Sequence, residues 1–241
     1  MSKIVSMRAA VGALHFLLCC AVALLPLHVA VADPLEDTQT WANVTAVGHV
    51  GASGSPWRYW LEAQARFDDD SSRFGLGILR PGVGYALAPN TTLWLGYGYF
   101  SADPPGPVDN LEEHRIWQQL SWTAPQALAG MTVSSRSRLE QRSHESGSEV
   151  GWRARQLFKV IRPLGQGPWS LVALDEIFFN LNATRWGVAD GFEQNRAFAG
   201  LGLAMNNHTR AEVGYLNQFI AREDAKDRMH HVISLNLFLN F

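Results

Sequence analysis

Apolar and polar residues alternate one by one along most of this chain, and this period of two constrains the fold more than any other feature. The alternating runs are about 11–14 residues long, whereas a strand of a soluble protein averages about 5–6 residues. A tilted strand that crosses a membrane needs roughly 9–11 residues. The last run is the clearest, with Ile233, Leu235, Leu237, Leu239 and Phe241 alternating with Val232, Ser234, Asn236, Phe238 and Asn240. We therefore predict an all-β chain, an antiparallel up-and-down transmembrane β-barrel of roughly 10 to 12 strands.

One run carries charge on every second position. In SRSRLEQR, residues 135–142, these positions are Arg136, Arg138, Glu140 and Arg142. On a strand all four side chains point to the same side. An arginine that faces lipid near the midplane of a bilayer costs about 2–4 kcal/mol. The charged side is therefore predicted to face an enclosed interior, and the intervening residues to face lipid.

The N-terminus reads as an export signal. Lys3 and Arg8 precede a long apolar run, and a small-x-small cleavage site ends at Ala32. We predict a cleaved signal peptide over residues 1–32 and one outer-membrane barrel domain over residues 33–241. The expected location is the bacterial outer membrane, as an integral protein.

Composition supports this picture. Both cysteines, Cys19 and Cys20, lie in the predicted signal peptide, so the mature chain would have no disulfide. Beyond that segment Lys159 and Lys226 are the only lysines, and the other basic residues are arginines, whose planar group suits enclosed ion pairs. The formal net charge of −2 argues against a nucleic-acid partner.

The connections between the runs fall into two alternating classes, as in outer-membrane barrels with short periplasmic turns and longer external loops. Both termini are then expected on the periplasmic side. A soluble periplasmic β-barrel binding protein also alternates, and stays an alternative. The short class comprises 51–56, 88–90, 124–130, 164–168 and 206–208, and the charged or longer class comprises 68–73, 101–110, 143–149, 181–193 and 221–227. The run 40–50 is a shorter strand candidate that leaves the strand number open.

Aromatic residues gather near the ends of the runs, as the interfacial girdles of a membrane barrel require. They are Trp57, Tyr59, Phe67, Tyr99, Phe100, Trp122, Phe219 and Phe241.

Eight segments in this order resemble the domain-of-unknown-function 2490 family of bacterial proteins. They are RPGVGYAL (80–87), LWLGYGYF (93–100), EHRIWQQL (113–120), RSRLEQR (136–142), DEIFFNLN (175–182), QNRAFAGLGL (194–203), VGYLNQF (213–219) and HVISLNLFLNF (231–241). The resemblance implies an outer-membrane β-barrel and no particular reaction. The terminal Leu237, Leu239 and Phe241 also resemble the signal that the barrel-assembly machinery reads.

Charged residues on the inward side form a predicted ladder with more basic than acidic members. The ladder is Arg58, Glu62, Arg66, Glu113, Arg115, Arg136, Arg138, Glu140, Arg142, Arg153, Arg155, Lys159, Glu176, Arg196, Arg210 and Glu212. It either fills and cross-links a narrow barrel, or forms a narrow pore that favours small anions. Expected partners are outer-membrane lipids, the assembly machinery and small anionic solutes. We expect no cofactor and no metal centre, since the adjacent His230 and His231 face opposite sides of a strand.

A lipid-modifying hydrolase of the outer membrane is the enzymatic alternative. His144 and Ser146 stand two residues apart, and Glu149 follows in the same segment. A histidine beside a serine can supply a general base and a nucleophile, with the acid orienting the imidazole. The flanking residues predict an external loop rather than a strand at the interface, which makes these three residues weak catalytic candidates.

Overall fold

The computed structural model describes residues 33–51, 54–106, 110–223 and 225–241. The predicted signal peptide lies outside these residues. Within them the chain forms eleven β-strands of 12 to 16 residues. They are β1 (Leu35–His49), β2 (Trp57–Asp68), β3 (Arg73–Ala88), β4 (Thr91–Ala102), β5 (Leu111–Thr123), β6 (Thr132–His144), β7 (Val150–Pro163), β8 (Trp169–Asn180), β9 (Gly191–Ala204), β10 (Thr209–Ile220) and β11 (Arg228–Asn240). Nowhere in the described ranges is there a helix with the length and apolar character to span a membrane.

Neighbouring strands in sequence are neighbours in space, and the sheet closes on itself. Ten of the pairs are antiparallel, and the ring is completed by a parallel pair between β1 and β11. The predicted up-and-down barrel of ten to twelve strands is confirmed, with the 40–50 run forming most of β1. Closure leaves no edge strand exposed, so every strand has two hydrogen-bonded neighbours.

The odd number of strands corrects the predicted position of the termini. An antiparallel circuit returns to its starting end only after an even number of strands, so eleven strands require one parallel pair. In that pair Leu35 lies opposite Arg228, and Val47 lies opposite Asn240. Leu35 and Phe241 are therefore at opposite ends of the barrel, and the expectation that both termini share one end is wrong.

The two predicted classes of connection occupy opposite ends. At the end that holds Phe241, which we call the turn end, all five connections lack Asp, Glu, Lys and Arg; they are 50–56, 89–90, 124–131, 164–168 and 205–208. At the other end, the loop end, every connection carries acidic residues; they are 69–72, 103–110, 145–149, 181–190 and 221–227. The ends differ more in charge than in length.

The outer face of the sheet is largely apolar, and the inner face carries buried charged side chains. Leu61, Leu79 and Leu95 point outward and are each more than half exposed. Glu62 and Arg80 point inward from the same strands and are buried. This follows from the period of two, which sends alternate residues to opposite faces.

Indole rings fill part of the interior. Trp60 makes edge-on contacts with Trp94 at 5.4 Å and with Trp117 at 6.1 Å between ring centroids. Two glycines, Gly82 and Gly96, lie under the Trp117 ring, and a Cβ atom at either position would collide with it. Small residues on β3 and β4 therefore make the space that a fully buried tryptophan on β5 occupies.

One aromatic assignment changes. Phe100 was expected in an interfacial girdle, but it is only 5% exposed and lies inside the barrel. It follows the inward positions of β4, such as Trp94. The Arg115 guanidinium sits 3.5 Å from the centre of its ring, a cation–π contact that a girdle residue would not make.

Candidate functional site: a charged interior

The structure places the sequence-predicted ladder on the inner face of the barrel. Ten of its members are buried: Glu62, Glu113, Arg115, Arg138, Glu140, Arg142, Arg153, Arg155, Glu176 and Glu212. Another five are half-buried: Arg66, Arg136, Lys159, Arg196 and Arg210. Charges at this level of burial are retained in proteins only when they are paired and hydrogen-bonded.

Glu140 is the centre of the ion-pair network and is 1% exposed. Its carboxylate accepts a 2.5 Å hydrogen bond from Arg153 Nη2 and a 2.6 Å hydrogen bond from Arg155 Nη1. Arg115 and Arg138 approach the same carboxylate at 3.5 Å and 3.6 Å. A carboxylate offers about four lone-pair sites, so this one side chain neutralises part of four guanidinium groups.

Three other glutamates each hold two basic groups. Glu113 accepts hydrogen bonds from Arg115 (2.8 Å) and Arg142 (2.6 Å), Glu176 from Arg136 (2.7 Å) and Arg155 (2.8 Å), and Glu212 from Lys159 (2.7 Å) and Arg210 (2.9 Å). Arg155 links Glu140 to Glu176, and Arg115 links Glu140 to Glu113. The pairs on β5 to β8 therefore form one connected network.

Two residues that form inward ion pairs, Arg80 and Glu193, were not predicted from the sequence, and one predicted ladder residue lies away from these pairs. Arg80 pairs with Glu62 at 2.5 Å, and its position between two inward residues of β3 was the available signal. Glu193 was assigned to a loop, but β9 begins at Gly191, and Glu193 bonds Arg153 at 2.9 Å. Arg58 instead lies at the turn end, where its guanidinium donates to the Trp57 carbonyl oxygen at 3.1 Å.

The loop half of the interior holds a cavity of about 160 Å³. Seven arginines line it together with a single carboxylate, that of Glu193. The arginines are Arg66, Arg80, Arg115, Arg142, Arg153, Arg155 and Arg196. We call this space the arginine cavity.

A larger vestibule of about 760 Å³ lies at the loop end. Its walls come from the connection 181–190, from the start of β9 and from residues 220–223 and 225–228. Arg142 and Glu193 line both spaces. These two side chains therefore stand between the vestibule and the arginine cavity.

Towards the turn end the interior is filled by side chains. Trp117 is fully buried, and Gln119 is 1% exposed. Arg138 donates two hydrogen bonds to Gln119 Oε1, at 2.8 Å and 2.5 Å, and lies over the Trp117 ring at 4.7 Å. The described side chains at this level leave the barrel narrow rather than wide and water-filled.

Of the three hydrolase candidates, His144 and Ser146 are in contact and Glu149 is turned to another residue. His144 Nδ1 and Ser146 Oγ are 2.7 Å apart, and the imidazole stacks on Trp186 at 5.3 Å. Glu149 instead accepts from the Arg185 backbone N–H (2.6 Å) and from its Nε (2.7 Å). The Arg185 backbone N–H and guanidinium also hold the pKa of Glu149 below its ordinary value. The carboxylate is therefore committed to Arg185 and does not orient the imidazole.

We expect the purified Ser146→Ala barrel to release fatty acid from lipid at the same rate as the wild-type barrel. A serine nucleophile needs a base that is itself held in place, and His144 lacks the contact with Glu149 that would hold it. Release of fatty acid from phospholipid and lipopolysaccharide vesicles measures this, with Ser143→Ala as a neighbouring serine control. Hydrolysis that Ser146→Ala abolishes and Ser143→Ala preserves would establish the enzymatic alternative.

The C-terminal residues of the predicted assembly signal lie on the outer surface at the turn end. Leu237 pairs with Ala211 of β10 and with Val44 of β1. Phe241 is 60% exposed, and its backbone N–H donates to the Val47 carbonyl oxygen at 2.9 Å. The final side chain is thus held at the rim, where its ring stacks on that of His208 at 6.0 Å between centroids.

Some outward positions are polar, and they pair with one another across neighbouring strands. Ser137 Oγ donates to Gln156 Oε1 at 2.5 Å on β6 and β7. Asn195 Nδ2 donates to the Asp175 carboxylate at 3.0 Å on β8 and β9. Such pairs satisfy the hydrogen-bonding capacity of polar groups on a largely apolar face. On β2 every outward residue is apolar. On β3 the outward residues are apolar from position 75 to position 87.

The fold and the site together define a closed β-barrel with a cross-linked, arginine-rich interior and a largely apolar exterior. A comparison with known protein families identifies the family of this chain. Residues 38–230 match the model described as "Protein of unknown function (DUF2490)", and the chain belongs to that family. An uncharacterised protein of Methylorubrum extorquens is 37% identical over 213 residues, which cover 87% of this chain and 90% of the relative.

Proposed function

We propose that the protein is an integral β-barrel of the bacterial outer membrane whose charged interior is a narrow pathway that favours small anions. The observation that carries the proposal is the inverted polarity. Leu79 and Leu95 are 57% and 52% exposed on the outside, while Glu140 is 1% exposed inside. In water this arrangement exposes apolar surface at a cost, whereas in a bilayer the apolar residues face lipid and the charges are kept away from it.

The two ends support an orientation. The uncharged turn end suits the periplasmic side, and the charged loop end suits the outside of the cell. The C-terminal Phe241 at the turn end is then available to the assembly machinery before insertion. Leu35 lies at the external end in this orientation, a consequence of the parallel closure between β1 and β11.

The preference for anions rests on the sign of the interior charge. Basic residues outnumber acidic ones by eleven to six in the charge ladder when Arg58 is left out and Arg80 and Glu193 are added. The basic set is Arg66, Arg80, Arg115, Arg136, Arg138, Arg142, Arg153, Arg155, Lys159, Arg196 and Arg210, and the acidic set is Glu62, Glu113, Glu140, Glu176, Glu193 and Glu212. Rings of arginine and lysine select anions in pores.

We expect Trp117→Ala to raise the conductance of the barrel in planar bilayers and to reveal anion selectivity. The indole fills the space beside Gly82 and Gly96, so its removal opens the packed level to ions while the arginines remain. Single-channel recording under a potassium chloride gradient gives the conductance, and the sign of the reversal potential gives the selectivity.

The matched control is Trp57→Ala, because Trp57 is 52% exposed on the outside of the barrel. It should leave the conductance at the wild-type level. A Trp117→Ala barrel that is folded but silent, or that selects cations, would contradict the proposed pathway.

A further inference from the structure

The arginines that line the arginine cavity carry more positive charge than the carboxylates paired with them neutralise. Arg66 and Arg196 have no carboxylate within 4.0 Å in the described part of the chain. The Arg66 guanidinium donates to Gln64 Oε1 at 2.9 Å and lies over the Trp41 ring at 3.7 Å. Arg196 lies over the Phe178 ring at 4.6 Å. Arg66 is held by a ring and an amide and Arg196 by rings, and these contacts satisfy the stacking faces of the two groups but not their charge.

Two buried donors in the same cavity have no hydrogen-bond partner among the described residues. They are Arg80 Nε and Arg196 Nε. Arg80 is 4% exposed, so ordinary bulk solvent does not reach it. Buried polar atoms are nearly always satisfied in native proteins. The two donors are therefore unsatisfied hydrogen-bonding capacity in the wall of the cavity.

Glu193 occupies the boundary between the cavity and the vestibule. Its carboxylate accepts from Arg153 Nη1 at 2.9 Å and 3.0 Å and approaches Arg142 Nη1 at 3.6 Å. Its side chain is 19% exposed, whereas the Glu140 side chain is 1% exposed. Among the carboxylates that form inward ion pairs, this one has the most exposed side chain.

We propose that the arginine cavity binds one small multivalent oxyanion, of the phosphate or sulfate type, which enters from the vestibule and competes with Glu193 for Arg142 and Arg153. Guanidinium forks match tetrahedral oxyanions in two-point hydrogen bonds. About 160 Å³ holds one such ion with a few waters and excludes a large organic group. The proposal deepens the anion preference proposed above, but binding requires neither a membrane nor conduction.

Titration calorimetry of the folded, detergent-solubilised barrel with inorganic phosphate tests the site. We expect phosphate to bind, Glu193→Gln to tighten it by about tenfold, and Arg196→Gln to weaken it by about tenfold. Glu223→Gln and Arg222→Gln change exposed charges of the vestibule rim and should shift the affinity much less. Sulfate should compete with phosphate.

Two results would overturn the site. One is an affinity that Glu193→Gln leaves unchanged. The other is equal binding of phosphate and of glucose 1-phosphate, because the sugar does not fit the cavity and such an ion would be held in the vestibule or by a lipid-headgroup site. If phosphate does not bind but the Trp117→Ala barrel conducts anions selectively, the phosphate site is rejected and the proposed anion pathway stands. If phosphate binds tightly but the barrel does not insert into vesicles, the site stands and the proposed membrane pathway is rejected.

Discussion

The Glu140→Gln barrel is expected to lose about 3–5 kcal/mol of unfolding free energy, because removing one partner of a buried ion pair leaves the other charge uncompensated. Here the loss falls on Arg153 and Arg155 at once, which bond the carboxylate at 2.5 Å and 2.6 Å. Glutamine keeps the shape and one acceptor but brings no negative charge. Urea unfolding of the barrel refolded in detergent, followed by tryptophan fluorescence, gives the difference.

The control for Glu140 is Glu223→Gln, since Glu223 is exposed at the loop end. Exposed substitutions of this kind usually stay within about 0.5 kcal/mol. A second variant, Glu140→Gln with Arg153→Gln, tests the mechanism, because it removes a positive charge that the first variant stranded. We expect the double variant to recover part of the loss, with a coupling of about 0.5–3 kcal/mol. A Glu140→Gln barrel as stable as the wild type would show that the network does not hold the interior together.

The sequence could predict which residues face inward because that information is local. A period of two fixes the side on which Arg136 or Glu140 lies, whatever strand pairs with it. By the same alternation Trp117 lies on the inner side with Arg115, and Leu235 lies on the outer side. Alternation fails only where the backbone departs from a regular strand.

Closure was beyond the sequence because it depends on residues far apart. Asn43 and Asn236 hydrogen-bond across the parallel β1–β11 pair at a separation of 193 residues. Nothing in either segment states that its partner runs in the same direction. The strand number was therefore open, and the shared position of the termini was wrong.

The sequence indicated most of the residues that form the network, but it did not indicate which of them pair with one another. Arg80 precedes Pro81, which cannot donate to a ladder and weakens a strand assignment. Glu193 lies within an irregularity of the β8–β9 register, because Phe179 is opposite Phe192 while Phe178 is opposite Gln194. Which arginines share Glu140 depends on the stagger of β5, β6 and β7, and that stagger emerges only when the barrel closes.

Leu79→Arg is expected to lower the unfolding free energy of the barrel in lipid vesicles by about 2–4 kcal/mol, the cost of arginine facing the middle of a bilayer. Leu79 lies near the middle of β3, points outward and is 57% exposed. Its neighbours across the sheet are Ala63 and Tyr99, and neither offers a carboxylate. The measurement is urea unfolding in phospholipid vesicles, where the unfolded chain leaves the bilayer.

Leu87→Arg is the matched control, because Leu87 lies on the same strand, points to the same side and is 58% exposed, but stands at the turn end. In a membrane the cost there falls to about 0–1 kcal/mol. A soluble periplasmic barrel has water outside both positions, so both substitutions would stay within about 0.5 kcal/mol. A clear difference between Leu79→Arg and Leu87→Arg therefore requires an apolar medium around the middle of β3. Equal, small effects would remove the membrane from the proposed function and leave a water-soluble barrel with a charged interior.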